Sequence, residues 1–266
     1  MKFSLFDVGG TYIRYSYSDS RKIGKIIKEN VNDVISQIKN RIKGNEDRVV
    51  ISFAGQIDRI NNKILFGPNN KVKNFSLKIN NLILVRDTTS SLIAESYKRK
   101  EQNIVYLTIS TGIGCSAKIN GKIMFGKDGN FGEIGHSVIN FNGNEKCTCG
   151  KENHVEAYVG GKKLEEIAER EGLKIEELLK NENIVKKYDL LNIYASLFAN
   201  LINLYDPELV ILGGSVYLNN KGFFKKAIIL SKNYAVNRFP KFVDAKIKEN
   251  GIVGAWLIAK NPDILN

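Results

Sequence analysis

Leu5-Phe-Asp-Val-Gly-Gly-Thr11 ends an apolar run that begins at Lys2, and Thr11 to Ser18 then alternates apolar and polar residues. This is the pattern of a strand, a tight glycine turn and a returning strand. Leu107-Thr-Ile-Ser-Thr-Gly-Ile-Gly114 repeats it: Asn103 to Ile109 reads as a strand, Ser110 to Gly114 as the turn, and a second strand runs to Ile119. An internal echo of this kind points to two related α/β halves rather than to a single Rossmann unit.

The segments around the two turns fit that reading. Lys22–Glu29, Arg48–Phe53 and Leu82–Val85 have strand character, and Thr88–Lys100 has helical character. In Val31–Ile42 the apolar residues fall at helical spacing. Ile184, Tyr188, Leu191, Tyr194, Phe198, Leu201 and Tyr205 recur at steps of three and four, which predicts one long helix over Ile184–Tyr205. A short apolar strand, Leu209–Leu212, runs into Gly213-Gly214, and a last helix is expected over Gly251–Lys260. No Pro/Ser-rich linker interrupts the chain. The domain boundary is therefore expected as a compact hinge, giving a small α/β domain at 1–103 completed by 252–266, and a large one at 104–251.

With 266 residues, 43% of them apolar, the chain is long enough to bury substantial cores. No apolar run approaches the roughly 18–20 residues of a transmembrane helix. Asp7 and the glycines interrupt the N-terminal run before it could serve as a signal-peptide core. Three cysteines do not make a disulfide framework. A soluble, cytoplasmic protein without membrane contact is expected. The net charge of +12 is carried by dispersed lysines rather than an arginine block. That favours solvated faces, or attraction of anionic small molecules, over nucleic-acid binding.

Each glycine turn has two readings. Asp7, Gly9, Gly10 and Thr11 form either a plain hairpin or a turn whose backbone N–H groups and Thr11 hydroxyl meet phosphate oxygens. In the second reading Asp7 organises water around Mg²⁺. Thr111, Gly112 and Gly114 offer the same choice, and Gly213-Gly214 is either a third backbone approach or a strand-to-helix turn. No P-loop pattern is present. Asp87, between a strand and a helix, suits an N-cap and also a general base. Of the two histidines and three cysteines, His136, Cys147, Cys149 and His154 fall close together, which is either a zinc-binding set or a loop with two reduced thiols.

Taken in order, these motifs resemble the ROK family of repressors and sugar kinases over nearly the whole chain. The resemblance rests on Asp7-Val-Gly-Gly-Thr11, Ser52-Phe-Ala-Gly-Gln-Ile-Asp58, Gly67-Pro-Asn69, Asp87, Leu107 to Gly114, Gly132-Glu-Ile-Gly-His136, Cys147-Thr-Cys-Gly150 with Glu156, Asp206 to Gly214, and Gly254-Ala255. It implies a two-domain actin-like ATPase (ribonuclease H-like) fold with a central cleft. It also implies transfer of the ATP γ-phosphoryl group to a hexose, at O6 in a glucokinase or hexokinase, with Asp87 as base and Mg²⁺ accompanying ATP. Glu133, His136 and Glu156 match sugar-binding positions, with Gly55 and Asn69 lining the same pocket. His136, Cys147, Cys149 and His154 match a structural zinc motif in which His154 replaces a cysteine. A homodimer is a family-level expectation.

Two departures stand out. Arg86 occupies a position where the family has a sugar-contacting Asn, and a guanidinium only donates hydrogen bonds; Ala54 stands where Pro is common. Arg86 leaves open an N-acetylhexosamine or fructose kinase, and a sugar-binding protein without turnover. A repressor is disfavoured because the first turn begins at residue 7, with no room before it for a helix-turn-helix.

Overall fold

The computed structural model describes residues 1–67 and 72–266. In chain order the elements are β1 (Lys2–Val8), β2 (Tyr12–Asp19), β3 (Ile26–Asn30), α1 (Val34–Lys39), β4 (Arg48–Phe53), β5 (Gln56–Asp58), β6 (Lys63–Phe66), β7 (Lys73–Ser76), β8 (Leu82–Arg86) and α2 (Asp87–Ser96). They continue with β9 (Ile104–Ile109), β10 (Ile113–Ile119), β11 (Lys122–Ile123), α3 (Val155–Val159), α4 (Gly161–Arg170), α5 (Ile175–Leu178), α6 (Glu182–Lys187) and α7 (Leu190–Tyr205). The last are β12 (Leu209–Gly213), α8 (Ser215–Asn219), α9 (Lys221–Leu230), β13 (Lys241–Asp244) and α10 (Asn250–Lys260).

The chain forms two compact units. One comprises Met1–Lys100, Ser116–Phe131 and Lys246–Asn266; the other comprises Glu101–Cys115 and Gly132–Ala245. This division departs from boundaries at 103 and 252 chiefly in placing Ser116–Phe131 with the first unit. The reason is apolar: Ile123 and Phe125 pack on the cluster of Phe3, Leu5 and Val85. Asn130 adds a polar tie, exchanging two hydrogen bonds with the backbone of Ile57.

In the first unit the sheet order is β3-β2-β1-β4-β8. β2 is antiparallel to β1, whereas β1, β4 and β8 run parallel. Alternation along β1 decides the layers. Phe6 and Val8 face a cluster that includes Val34 and Ile38 of α1. Phe3 and Leu5 face the other cluster, with Ile93 of α2 and Ile252, Ala255 and Ile258 of α10. β5, β6 and β7 make a separate small sheet.

In the second unit β9, β12 and β13 run parallel. β12 is buried throughout, as an unbroken apolar strand in a parallel sheet must be. Tyr194 and Phe198 of α7 meet Phe224 of α9 edge-on. The helix expected over Ile184–Tyr205 is two helices, α6 and α7. Asp189 separates them with a left-handed backbone, φ 53°. Ile184, Tyr188 and Leu191 keep helical spacing across that break, so spacing alone does not register it. The two large sheets share one plan: β11-β10-β9-β12-β13 repeats, role for role, the order of the first.

Candidate active-site elements in each unit

In the first unit the parallel strands bring their carboxyl ends to one edge, where α/β proteins commonly place ligands. Register aligns Asp7 with Ser52 and Ser52 with Val85; Val8, Phe53 and Arg86 form the next row, and Asp87 follows. Gly9 N–H donates to the Tyr12 carbonyl at 2.9 Å and closes the first turn. Gly9 and Gly10 are half-buried and Thr11 is exposed. Gly55 lies just beyond β4, in a left-handed-side conformation at φ 149°.

Asp7 is the most constrained of these residues. Ser52 Oγ donates to its Oδ1 at 3.2 Å, and Arg14 Nη1 lies 3.6 Å from its Oδ2. Arg14 is itself held by Glu249, Nε to Oε2 at 2.5 Å. A Cβ on Gly251, in the first turn of α10, would lie 2.5 Å from the Asp7 carboxyl carbon. Burial, and then the neighbouring Asp87 carboxylate, raise the Asp7 pKa from 3.8 to about 6, against the lowering pull of Arg14 and Ser52.

Asp87 is the first residue of α2; the N-cap position belongs to Arg86. The Asp87 Oδ1 accepts from the Thr88 N–H at 2.8 Å. Arg86 is buried, and its Nη1 donates to the Phe131 carbonyl at 2.9 Å.

The second unit gathers a different set. Ser110 N–H donates to the Gly112 carbonyl at 2.9 Å, closing the second turn. The start of α4 donates to the same turn, Gly161 N–H to Ser110 and Lys162 N–H to Thr111. Thr111 is exposed, and Gly112 and Gly114 are half-buried. Register sets Gly213 beside Thr108, so Gly213-Gly214 lies at the same strand edge as the turn. Gly214 has φ 91° and no room for a Cβ, which would lie 2.2 Å from the Ile109 carbonyl oxygen. A side chain there is excluded twice, by backbone strain and by contact. Ser110 and Ser215 hydroxyls meet at 3.2 Å. Glu156 reaches into the turn, accepting from Ile113 N–H at 2.7 Å.

His136, Cys147, Cys149 and His154 offer ligand atoms all within 4.8 Å of one another. Bridges pairing Val138 with His154 and Lys146 with Glu152 fold the loop back on itself. The two Nδ1 atoms are 3.2 Å apart, Cys147 Sγ is 3.5 Å from His136 Nδ1, and Cys149 Sγ is 3.4 Å from His154 Nδ1. Tetrahedral zinc with ordinary bond lengths sets such edges at about 3.4 Å for N···N and about 3.6 Å for N···S. The residues therefore fit zinc. Burial, with His136 second, lowers the His154 pKa and keeps that imidazole neutral, as a ligand must be. Burial pushes the Cys147 thiol up to about 11, so metal binding there must displace a proton. His136 Nε2 faces Glu133 Oε2 at 3.5 Å.

The residues expected to act thus fall into two groups. Asp7, Gly9, Gly10, Thr11, Gly55, Arg86 and Asp87 lie in the first unit. Thr111, Gly112, Gly114, Glu133, His136, Cys147, Cys149, His154, Glu156, Gly213 and Gly214 lie in the second. Asn69 lies outside the described residues. A cavity of about 570 Å³ in the second unit, bordered by Val185, Leu191 and Phe223, contains none of them. Arg14, Ser52, Glu249, Gly251 and Thr148 escaped the sequence reading. Hairpin register sets Arg14 opposite Asp7, and Ser52 and Thr148 stand inside the motifs that carry the resemblance, though nothing there singles out their side chains.

A model described as the ROK family matches residues 4–261. A glucokinase of Pyrobaculum calidifontis is 33% identical over 242 residues, covering 82% of this chain and 81% of that protein. A xylose repressor of Bacillus subtilis is 29% identical over 239 residues; the match covers 80% of this chain but 60% of the repressor's length. The crystal structure of a ROK family glucokinase from Streptomyces griseus in complex with glucose and AMPPNP superposes with a TM-score of 0.80, covering 98% of this chain and 99% of that one at 20% identity. The fold is that of the actin-like ATPases.

Proposed function

The chain belongs to the ROK family, and we propose that it is an ATP-dependent sugar kinase that phosphorylates a hexose hydroxyl, at O6 in a glucokinase-type reaction. The observation that carries this reading is the pairing of Asp7 and Asp87 at one strand edge beside a glycine turn, with the Asp87 carboxylate among the causes that raise the Asp7 pKa. Phosphoryl transfer asks mainly for positioning and for neutralisation of charge, which two acids and a backbone cradle can divide between them.

In this scheme Asp87 orients the sugar hydroxyl and accepts its proton as the new P–O bond forms. Its place at the start of α2 fixes the carboxylate on a rigid element. Asp7 holds the water shell of Mg²⁺, which, when bound with the nucleotide, offsets the charge of the phosphates. In the first unit Gly9, Gly10 and Thr11 are assigned to nucleotide binding through backbone N–H groups and the Thr11 hydroxyl; in the second, Thr111, Gly112, Gly114, Gly213 and Gly214 are assigned to nucleotide binding. Glu133, His136 and Glu156 in the second unit are assigned to sugar hydroxyls, and Gly55, Asn69 and Arg86 are assigned to substrate binding by the family resemblance. His136, Cys147, Cys149 and His154 would hold a structural zinc that fixes the loop next to Glu133.

The test is ADP release from Mg-ATP with glucose, mannose, fructose, N-acetylglucosamine or N-acetylmannosamine. ADP is expected only when a hexose is present, and Asp87→Asn is expected to fold yet turn over roughly 10²–10⁴-fold more slowly. Sugar binding by calorimetry with no ADP release from any member of the panel would instead identify a binding protein. Unchanged turnover in Asp87→Asn would refute the assigned base.

A further inference from the structure

Glu156 joins two parts of the second unit that lie apart in sequence. α3 starts directly after His154, so Glu156 stands two residues from one of the four metal-site residues. Its Oε1 accepts from Thr148 Oγ1 at 3.1 Å, and Thr148 is the residue between Cys147 and Cys149. Its Oε2 accepts from Ile113 N–H at 2.7 Å, inside the Ser110–Gly114 turn.

Two glycines make room for this arrangement. A Cβ on Gly112 would lie 2.5 Å from Glu156 Oε2, and a Cβ on Gly160 would lie 2.8 Å from Glu156 Cγ. The carboxylate is thus held at both oxygens and flanked on two sides. One oxygen reads the position of the Cys-Thr-Cys segment, and the other sets the backbone of the turn.

We propose that Thr148, and Glu156 in addition to the sugar contact assigned to it, act as positioning residues that couple metal occupancy at His136, Cys147, Cys149 and His154 to the shape of the second glycine turn, and so to nucleotide affinity. The link to affinity rests on reading that turn as a phosphate cradle. With both cysteines bound to a metal, the Thr148 hydroxyl is fixed and keeps Glu156 aimed at Ile113. Without that anchor the Cys-Thr-Cys segment loses its reference point. A glutamate with three rotatable bonds then leaves Ile113 N–H, a donor on a buried residue, without its partner. The metal acts here at a distance from the phosphates, through one side chain.

The experiment compares the wild type, the chelated wild type, Thr148→Val and Thr148→Ser. Three quantities are read: zinc per chain, Kd for AMPPNP by calorimetry, and hydrogen exchange at the Ile113 amide. Thr148→Val is expected to keep about one zinc per chain, since all four ligands remain. Its Kd is expected to rise roughly tenfold, about the effect of one hydrogen bond to a charged acceptor, with faster exchange at Ile113. Thr148→Ser keeps the hydroxyl and is expected to behave as wild type, and chelation of the wild type is expected to reproduce the Thr148→Val values. Wild-type exchange at Ile113 in both Thr148→Val and the chelated protein would overturn the coupling. A wild type that binds no AMPPNP would instead count against the kinase reading, and exchange at Ile113 would still decide the coupling.

Discussion

A carboxylate presses on a glycine in each unit, and the two contacts are alike in distance but not in kind. In the first unit the Asp7 carboxylate fills the space where Gly251 would carry a Cβ; in the second, Glu156 fills the corresponding space at Gly112. Both approaches are 2.5 Å. Asp7 has a short side chain on a buried strand, facing the first turn of α10. Glu156 has a longer side chain on a short helix, and both its oxygens engage the protein, at Thr148 and at Ile113. The first carboxylate is kept under electrostatic pressure by burial and by Asp87. The second is engaged by the protein at both oxygens, besides the sugar contact assigned to it. The same strand order therefore supports an acid under charge pressure in one unit and a carboxylate that braces a turn in the other.

Gly251→Ala tests the rigid half of this contrast and should give the largest effect. Alanine raises helix propensity by up to about 1 kcal/mol, so any net loss must come from the contact with Asp7. Overpacking against a short, half-buried side chain held on a strand should cost about 2–3 kcal/mol, read as a lowered Tm. Sugar-dependent ADP release should fall on the order of 10²-fold, because small displacements of a positioned group have effects of that size. Adding Asp7→Ala should restore most of the stability but none of the turnover. If Gly251→Ala melts like wild type, the contact is not tight and the comparison between units fails.

Asp7→Asn tests the electrostatic pressure. The folded-state pKa of Asp7 lies above its ordinary value, at about 6 against 3.8. In the folded protein the acid therefore holds its proton more tightly than in the unfolded chain. Its favourable contribution is complete below about pH 4 and is lost as pH rises through about 6. Above that, ionised Asp7 costs roughly 2–3 kcal/mol, at about 1.4 kcal/mol per pKa unit. Without nucleotide or magnesium, Asp7→Asn should accordingly melt higher than wild type at pH 7.5, and the gap should close towards pH 4. A gap independent of pH would show that charge is not what strains the site.

The legible and illegible parts of the molecule divide along physical lines. Strand–glycine–strand patterns are local, so both turns could be read from Asp7 to Thr11 and from Ser110 to Gly114. Rarity exposed the metal cluster, because four of only five His and Cys residues fall between His136 and His154. Contacts between distant segments left no trace. Nothing near Asp7 announces Gly251 or Glu249, and nothing near Cys147 announces that Thr148 reaches Glu156. The break at Asp189 was hidden because Ile184, Tyr188 and Leu191 keep helical spacing across it. The packing of Ser116–Phe131 is hidden for a related reason: sequence shows that Ile123 and Phe125 are apolar, but not which core receives them.

Gly112→Ala tests the yielding half of the contrast and should have the smallest effect on stability. The added methyl meets the far end of a flexible side chain, not backbone. Glu156 can swing aside, so the expected loss is within about 1 kcal/mol, the net worth of one hydrogen bond. The consequence should appear in function, because the Glu156 that moves away no longer receives Ile113 N–H. Stability near wild type with weakened AMPPNP binding would separate a brace from a core contact. A destabilisation as large as that of Gly251→Ala would mean that Glu156 is as immobile as Asp7, and the two carboxylates would then differ only in their charge environment.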